Sequence, residues 1–279
     1  MKKVVYSLLL AGVFQVNAQE SGSVKVSEAY VLPGSSIQLG YLTTVEEFRD
    51  VVPESSILQN DYSAYKRGNG VFNVYHSAFN AGIGLTFGGK VNPVLRFGIS
   101  YFNRTNLSLA TFKDDSYVYD TLTSSQTGIS YFIDSVVHRR LKADQRTDYL
   151  NLDASVVFRT NPENRWLLYG GVGLSLGMGF NSVVTISLAE YVEDWTIDGY
   201  EDSDIEIKAE ETHRIGGSFL TSAYLPLGFD FRIGKKREFW RHIHLVSELR
   251  PSMVITSVQD FGLITTVGTQ STFGLKFDF

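Results

Sequence analysis

Seven stretches of this chain alternate apolar and polar residues with a period of two, and that pattern admits few folds. Between Asn73 and Gly88, Tyr75, Phe79, Ala81, Ile83, Leu85 and Phe87 share one face, while His76, Asn80, Gly82, Gly84 and Thr86 share the other. Between Val94 and Thr105, Leu95, Phe97, Ile99 and Tyr101 oppose Arg96, Gly98, Ser100 and Arg104. Between Asp148 and Thr160, Leu150, Leu152, Ala154, Val156 and Phe158 oppose Asn151, Asp153, Ser155 and Arg159. Between Arg165 and Phe180, Trp166, Leu168, Val172, Leu174, Leu176, Met178 and Phe180 oppose Gly171, Gly173, Ser175, Gly177 and Gly179. Between Ile215 and Ile233, the outer set is Ile215, Phe219, Leu225, Leu227, Phe229, Phe231 and Ile233, against Asp230 and Arg232. Between Ile243 and Ile255, it is Ile243, Leu245, Leu249, Met253 and Ile255, against His242, His244, Glu248 and Arg250. The chain then closes on Phe273, Leu275, Phe277 and Phe279, opposite Gly274, Lys276 and Asp278. A strand places successive side chains on opposite faces, so each stretch has one broad apolar face and one face of charge, small polar groups or glycine.

A soluble barrel hides its apolar face inside. Here the apolar face is bulky and aromatic, and the other face is rich in glycine. Bulk outside and glycine inside suit a small barrel in lipid, whose lumen has little room. The fold class expected is therefore all-β, an antiparallel transmembrane up-and-down β-barrel. Outward aromatics gather near strand ends: Phe87, Phe158, Trp166, Phe229, Phe231, Phe277 and Phe279 low, Tyr101, Phe180 and Phe219 high. That is the pattern of two interfacial girdles.

An even strand count requires an eighth member. Ser35 to Thr43, where Ile37, Leu39 and Tyr41 alternate with Gln38 and Gly40, supplies it. A ten-strand count stays open if the 107–142 region adds a hairpin within the membrane. Counting back from the last strand, the turns on one side are short: Gly88 to Asn92, Asn161 to Asn164 and Gly234 to Glu238. Segments 44–70, 113–146 and 181–212 fall on the other side as extracellular loops. Thr44-Val45-Glu46-Glu47 fits a capping box and Pro53 ends a helix at Val52, so a short surface helix is expected there. Tyr117 to Leu122, Ile129 to Val137 and Val183 to Tyr191 are β-prone and could lengthen the barrel strands above the bilayer.

The first residues read as a secretory signal peptide over 1–18, with Lys2 and Lys3 before an apolar run and Val16-Asn17-Ala18 before cleavage. Residues 19–34, ending in the turn signal Pro33-Gly34, read as a periplasmic lead-in, with the barrel over 35–279. The chain has no Cys, which removes disulfide and thiol chemistry, and a formal charge of −5 argues against nucleic acid as partner.

Tyr149-Leu150-Asn151-Leu152-Asp153 to Arg159, an Asn-Pro turn, then Leu167-Leu168-Tyr169-Gly170-Gly171-Val172-Gly173 resembles the central hairpin of the OmpX/PorT-like family of small bacterial outer-membrane β-barrel domains. Phe79 to Phe87, Asn92-Pro93 and Leu95 to Tyr101 look like the preceding hairpin, and the terminal Phe fits. The resemblance covers most of 71–279. It implies fold and an outer-membrane location. That family shares no single activity, so no functional residues carry over.

The chemistry the sequence offers is sparse. His242, His244 and Glu248 on one face could hold Zn²⁺, although hydrogen-bonded lumen residues are the plainer reading. Inward Arg96, Asp153, Arg159, Asp230, Arg232, Glu248, Arg250, Lys276 and Asp278 have mixed signs. They read as a salt-bridged lumen plug in preference to an ion path, since buried charges need partners. Segment 190–211 carries ten Asp and Glu against Lys208 alone, in no EF-hand spacing. Gly170-Gly171-Val172-Gly173 breaks the nucleotide-loop register at Leu176. His138 and His213 with Ser130, Ser135 or the acidic loop could form a rim hydrolase for lipid or peptide. Phe273, Phe277 and Phe279 are the candidate signal for barrel-assembly machinery. No cofactor is implied. The role expected is a non-enzymatic scaffold presenting its loops to an extracellular or envelope protein partner. The alternatives are a narrow channel or an accessory of a transport or secretion system, and then the hydrolase.

Overall fold

A computed structural model describes residues 24–68, 73–87, 93–161, 164–196, 199–202, 205–234 and 238–279. The expected signal peptide, 1–18, lies outside them. In chain order the elements are β1 (Val24–Leu39), β2 (Tyr41–Leu42), α1 (Val45–Val51), β3 (Lys66–Arg67), β4 (Asn73–Phe87), β5 (Val94–Thr123) and β6 (Ser130–Arg159). Then come β7 (Trp166–Thr196), β8 (Gly199–Asp202), β9 (Glu206–Arg214), β10 (Phe219–Tyr224), β11 (Leu227–Arg232), α2 (Glu238–Arg241), β12 (Ile243–Val258) and β13 (Gly262–Asp278).

Eight staves close a ring in the order β1, β4, β5, β6, β7, the β10–β11 pair, β12 and β13, which returns to β1. Every neighbour around the ring is antiparallel. Closure leaves the ring no open edge, as a sheet in hydrocarbon requires. The count is eight and not ten. The 107–142 region lengthens two existing staves instead of adding a hairpin. The sixth stave is split where Pro226 and Pro251 remove donors from adjacent strands. Its register is nonetheless the same on both sides, with Tyr224 opposite Ser252 and Leu227 opposite Leu249.

The first stave begins earlier than the sequence suggested. Val24–Leu39 is one strand, so residues 24–34 are wall and not a periplasmic lead-in. Two irregularities hid it. A register shift between Val26 and Glu28 interrupts the alternation. Pro33 lacks an N–H, and the pairing to β13 skips from Val31 to Gly34. The turn read into Pro33-Gly34 is an imperfection inside a strand.

In the lower half of the ring the facing is as the alternation implies. Leu152, Leu174 and Met178 are 64–70% exposed on the outside, while Arg96, Asn151 and Lys276 are at most 2% exposed within. Trp166 packs on Phe229 and Phe231 with ring centroids 4.8 and 4.2 Å apart at the lower rim. Ile243, expected outside, is 6% exposed where the α2 turn runs against its strand. Replacing Leu174 by Arg should cost about 2–4 kcal/mol in a folding titration into vesicles, because that face meets lipid. A loss below 0.5 kcal/mol, within the usual range for a neutral surface change, would contradict the facing.

The upper half inverts. β5, β6 and β7 are 30, 30 and 31 residues long. Asn106 is an extra residue in β5, and Asn181 with Ser182 stands opposite the single Thr147. Asn181 has φ 53°, the left-handed conformation Asn tolerates better than most. Each bulge shifts facing by one residue. Apolar positions therefore continue in step along the sequence yet change sides: Leu95 to Tyr101 point out, whereas Leu107 and Leu109 point in. Leu174 to Phe180 point out, whereas Val184 and Ile186 point in. β6 has no such insertion against β5, and its composition changes instead, from outward Leu150 and Leu152 to inward Leu141 and Ala143. Above the bulges the wall is built like a soluble sheet.

Segment 44–68 fills that apolar mouth. The Thr44 capping box forms, with the Glu47 N–H donating to Thr44 Oγ1 and the Thr44 N–H to Glu47. The resulting helix is not a surface helix. Val45, Phe48 and Val51 are buried with Val52, Ile57 and Leu58 against Leu107, Leu141, Val184, Ile186 and Ile264. Ile215, expected on the outer face, packs against this same core. β2 and β3 pair with β5 beside it, which makes the segment part of the wall as well as its stopper.

Candidate functional site: a charged lumen beneath an apolar plug

Below the plug the lumen is filled by charge. Glu28, fully buried on β1, accepts from Arg96 Nε at 2.7 Å, contacts Arg159, and lies 3.7 Å from Lys276 Nζ. The other arm of Arg96 donates to Glu248 Oε2 at 2.8 Å, which also accepts from the Tyr169 hydroxyl at 2.7 Å. Arg250 pairs with Glu248 and stands 3.6 Å from Asp153. Lys276 pairs with Asp230, and with Asp278 at 3.0 Å. His244 bridges Asp230 and Asp278 at 2.5 and 3.1 Å.

Aromatic rings fill the remaining space. The Arg96 guanidinium lies between the rings of Tyr30 and Tyr169, 5.2 and 4.6 Å from their centroids, and Arg250 lies 5.1 Å from that of Tyr224. Glycine makes this possible. Gly173 is directly opposite Tyr224 and Gly228 opposite Tyr169, and a Cβ on either would strike the ring folded across it.

Of the residues expected in the lumen, Arg96, Asp153, Arg159, Asp230, Glu248, Arg250, Lys276 and Asp278 meet in this one network. Arg232 is half-buried at the lower rim. Glu28, Tyr30, Tyr169 and Tyr224 were not expected. Glu28 and Tyr30 were concealed by the irregular first strand, whereas Tyr169 and Tyr224 have the inward parity of their strands and had been assigned to no face.

The zinc candidates are not brought together. His242 is exposed and 2.8 Å from the Asp278 carbonyl, His244 is held by Asp230 and Asp278, and Glu248 is engaged by arginines. Among the described residues no group of three His, Asp or Glu is placed to hold a metal ion.

A polar belt at the level of the bulges joins the two halves. Gln145 Nε2 donates to Thr147 and Ser182 at 2.6 and 2.7 Å, and Tyr149 Oη lies 2.6 Å from Ser218 Oγ. Gln38 Nε2 donates to the Thr105 carbonyl at 2.6 Å, and the Thr105 N–H donates to His76 Nε2 at 3.2 Å. Side chains thus satisfy Thr105 where pairing between β4 and β5 has stopped, above Ala78 and Phe102.

Glu211 on β9 pins the plug from outside. It accepts from the N–H groups of Ser56 and Ile57 at 3.1 and 3.2 Å and from the Ser56 hydroxyl. Partial burial pushes its carboxyl up, but bonds from Ser55, Ser56, His213 and Ile57 outweigh that and hold it at about 2. His213 lies 3.0 Å from Glu211 and 3.5 Å from Glu54. His138 lies 2.8 Å from Asp114 and stacks on Tyr191. His138 is opposite Tyr191 and His213 opposite Val184, seven residues apart along β7. That is ~23 Å at the rise of a strand, so the two do not share a hydrolytic site. Ser135 is buried, and Ser130 bonds to Thr123 at the ribbon tip.

Among the described residues the β5–β6 ribbon projects farthest. β3 pairs β5 only as far as Phe112, and β7 pairs β6 only from Val136. Among the described residues no further strand pairs with the outer edges of 113–134. Tyr117, Val118, Leu122, Ile129 and Phe132 are exposed on it.

No family model matches the chain, and no curated protein matches it in sequence. Among solved structures it is similar to Neisserial surface protein A, at 11% identity and TM-score 0.36, over 92% of this chain and 99% of that one. It is also similar to Ail of Yersinia pestis, at 13% identity and TM-score 0.28, over 91% and 100%. The outer-membrane protease OmpT of Escherichia coli matches at 8% identity and TM-score 0.26, over 94% and 99%. The assignment as an eight-stranded barrel of the outer-membrane type rests on the closed ring and its apolar outer face.

Proposed function

We propose that this chain is a non-enzymatic scaffold of a bacterial outer membrane, exported through a cleaved signal peptide, that presents a β-ribbon to a protein partner outside the cell. One observation carries the reading: the lumen is stopped twice, by buried ion pairs below and by the α1 plug above, while the longest strands project past both. Segments 44–70, 113–146 and 181–212 face the exterior, and the short turns face the periplasm. Outer-membrane lipid covers the apolar band. Barrel-assembly machinery reads the terminal strand, where Phe273 and Phe279 are exposed and Phe277 is half-buried.

The partner meets unpaired strand edges and apolar side chains on the ribbon, which suits addition of an extended strand. A polyanion is disfavoured, because segment 190–211 holds ten carboxylates against Lys208. The charges of the lower lumen serve as a structural plug in which each sign meets the other.

Planar-bilayer recording on the refolded chain separates scaffold from channel. Silence, with a heat-modifiable band on electrophoresis and protease cuts in intact cells confined to 113–146 and 181–212, is the expected result. Steady conductance of the intact chain would replace the scaffold by a pore.

A further inference from the structure

We propose that the lumen binds a small monovalent anion of chloride size at Arg104, between the charged network and the apolar plug. Arg104 is 3% exposed, and its guanidinium bonds to the Thr266 hydroxyl. Its Nε has no hydrogen-bond partner, and among the described residues no carboxylate pairs with it. Every other buried cation of the lumen network has a carboxylate. A buried guanidinium without counter-charge is costly, and water solvates it without neutralising it.

Arg104 lines a cavity of about 40 Å³, with Ser36, Gln38, Ser100, Ser222 and Thr269 on the walls. One water needs about 10–15 Å³ of such space, so an ion with a water fits, whereas the room is small for a ligand of many atoms. The hydroxyls and the Gln38 amide are donors an anion can use, and Thr269 Oγ1 is itself without a partner.

Asp153 and Arg250 also line the cavity, at its lower end, and are paired with each other. Thr266, which marks the level of the Arg104 guanidinium, lies four residues above Gln270, the residue opposite Arg250. That is ~13 Å along the strand. The anion at Arg104 is thus far from the one carboxylate of the chamber, and that carboxylate already has its cation.

Wild-type chain folded in detergent is unfolded in urea in sodium chloride and in sodium gluconate at equal ionic strength, and is crystallised from sodium bromide. Gluconate is too large for the chamber. At free chloride 100 times its dissociation constant, the change to gluconate should raise the unfolding constant about 100-fold. An anomalous bromide peak should lie within hydrogen-bond distance of the Arg104 guanidinium. In Arg104→Met both the peak and the salt difference should vanish. Equal unfolding of the wild type in the two salts would overturn the proposal, with or without a bromide peak. A peak alone would mean binding at crystal concentration only. The wild-type comparison decides even if Arg104→Met does not fold.

Discussion

Replacing Glu28 by Ala should destabilise the folded barrel by about 3–5 kcal/mol. Glu28 is a shared anion: it accepts from Arg96 and stands beside Arg159 and Lys276, all at most 6% exposed. Removing it leaves these cations short of one carboxylate in a space already filled by tyrosine rings, where water cannot replace it. Arg96 keeps Glu248, and Lys276 keeps Asp230, which bounds the loss. Urea titration in lipid vesicles measures the effect. Lys208 and Glu206, an exposed pair on β9, provide the contrast, and Glu206→Ala should cost about 0–1 kcal/mol. A Glu28→Ala loss no larger than that of Glu206→Ala would mean that water enters the lumen freely, and the case for a plugged barrel would fall with it.

Replacing Phe48 by Ala should cost the plug about 3–5 kcal/mol while leaving the membrane ring folded. Phe48 is fully buried at the centre of an apolar cluster that draws on 44–62 and on five staves. The ring below is held by other interactions, its backbone ladders and ion pairs, so loss of the plug core should appear as local opening. Hydrogen exchange on α1 should accelerate by a factor of 100 or more, each 1.4 kcal/mol being about tenfold. Protease should then cut within 44–68 while the heat-modifiable band persists. Unchanged protection of α1 would show that Phe48 does not anchor the plug. Collapse of the band together with α1 would show that plug and ring are one cooperative unit.

The lower barrel was legible because lipid imposes a simple rule. Outward residues must be apolar, the lumen must accept what is left, and both faces are written into each strand at period two. Leu152, Leu174 and Met178 follow that rule, and so do Arg96, Asp153 and Lys276. The capping box at Thr44 was legible for a similar reason, since its two bonds join residues three apart. The first stave was not, because a bulge and Pro33 broke the alternation over the residues that mattered.

The sequence by itself determined an antiparallel membrane barrel, the side of every lower strand but the first that faces lipid, with Ile243 the exception, and the presence of mixed charge within. Only the tertiary structure decided the rest. Leu107 has the same parity as Leu95 to Tyr101, beyond Asn103 and Thr105, yet Asn106 turns it from the outside to the inside. A period of two defines two faces but does not say which is interior, and one unpaired residue in a ladder exchanges them. The partners of Glu28 lie 68, 131 and 248 residues away in sequence. Ring closure alone brings them together, so neither the balanced lower network nor the unbalanced Arg104 could be read from the order of residues.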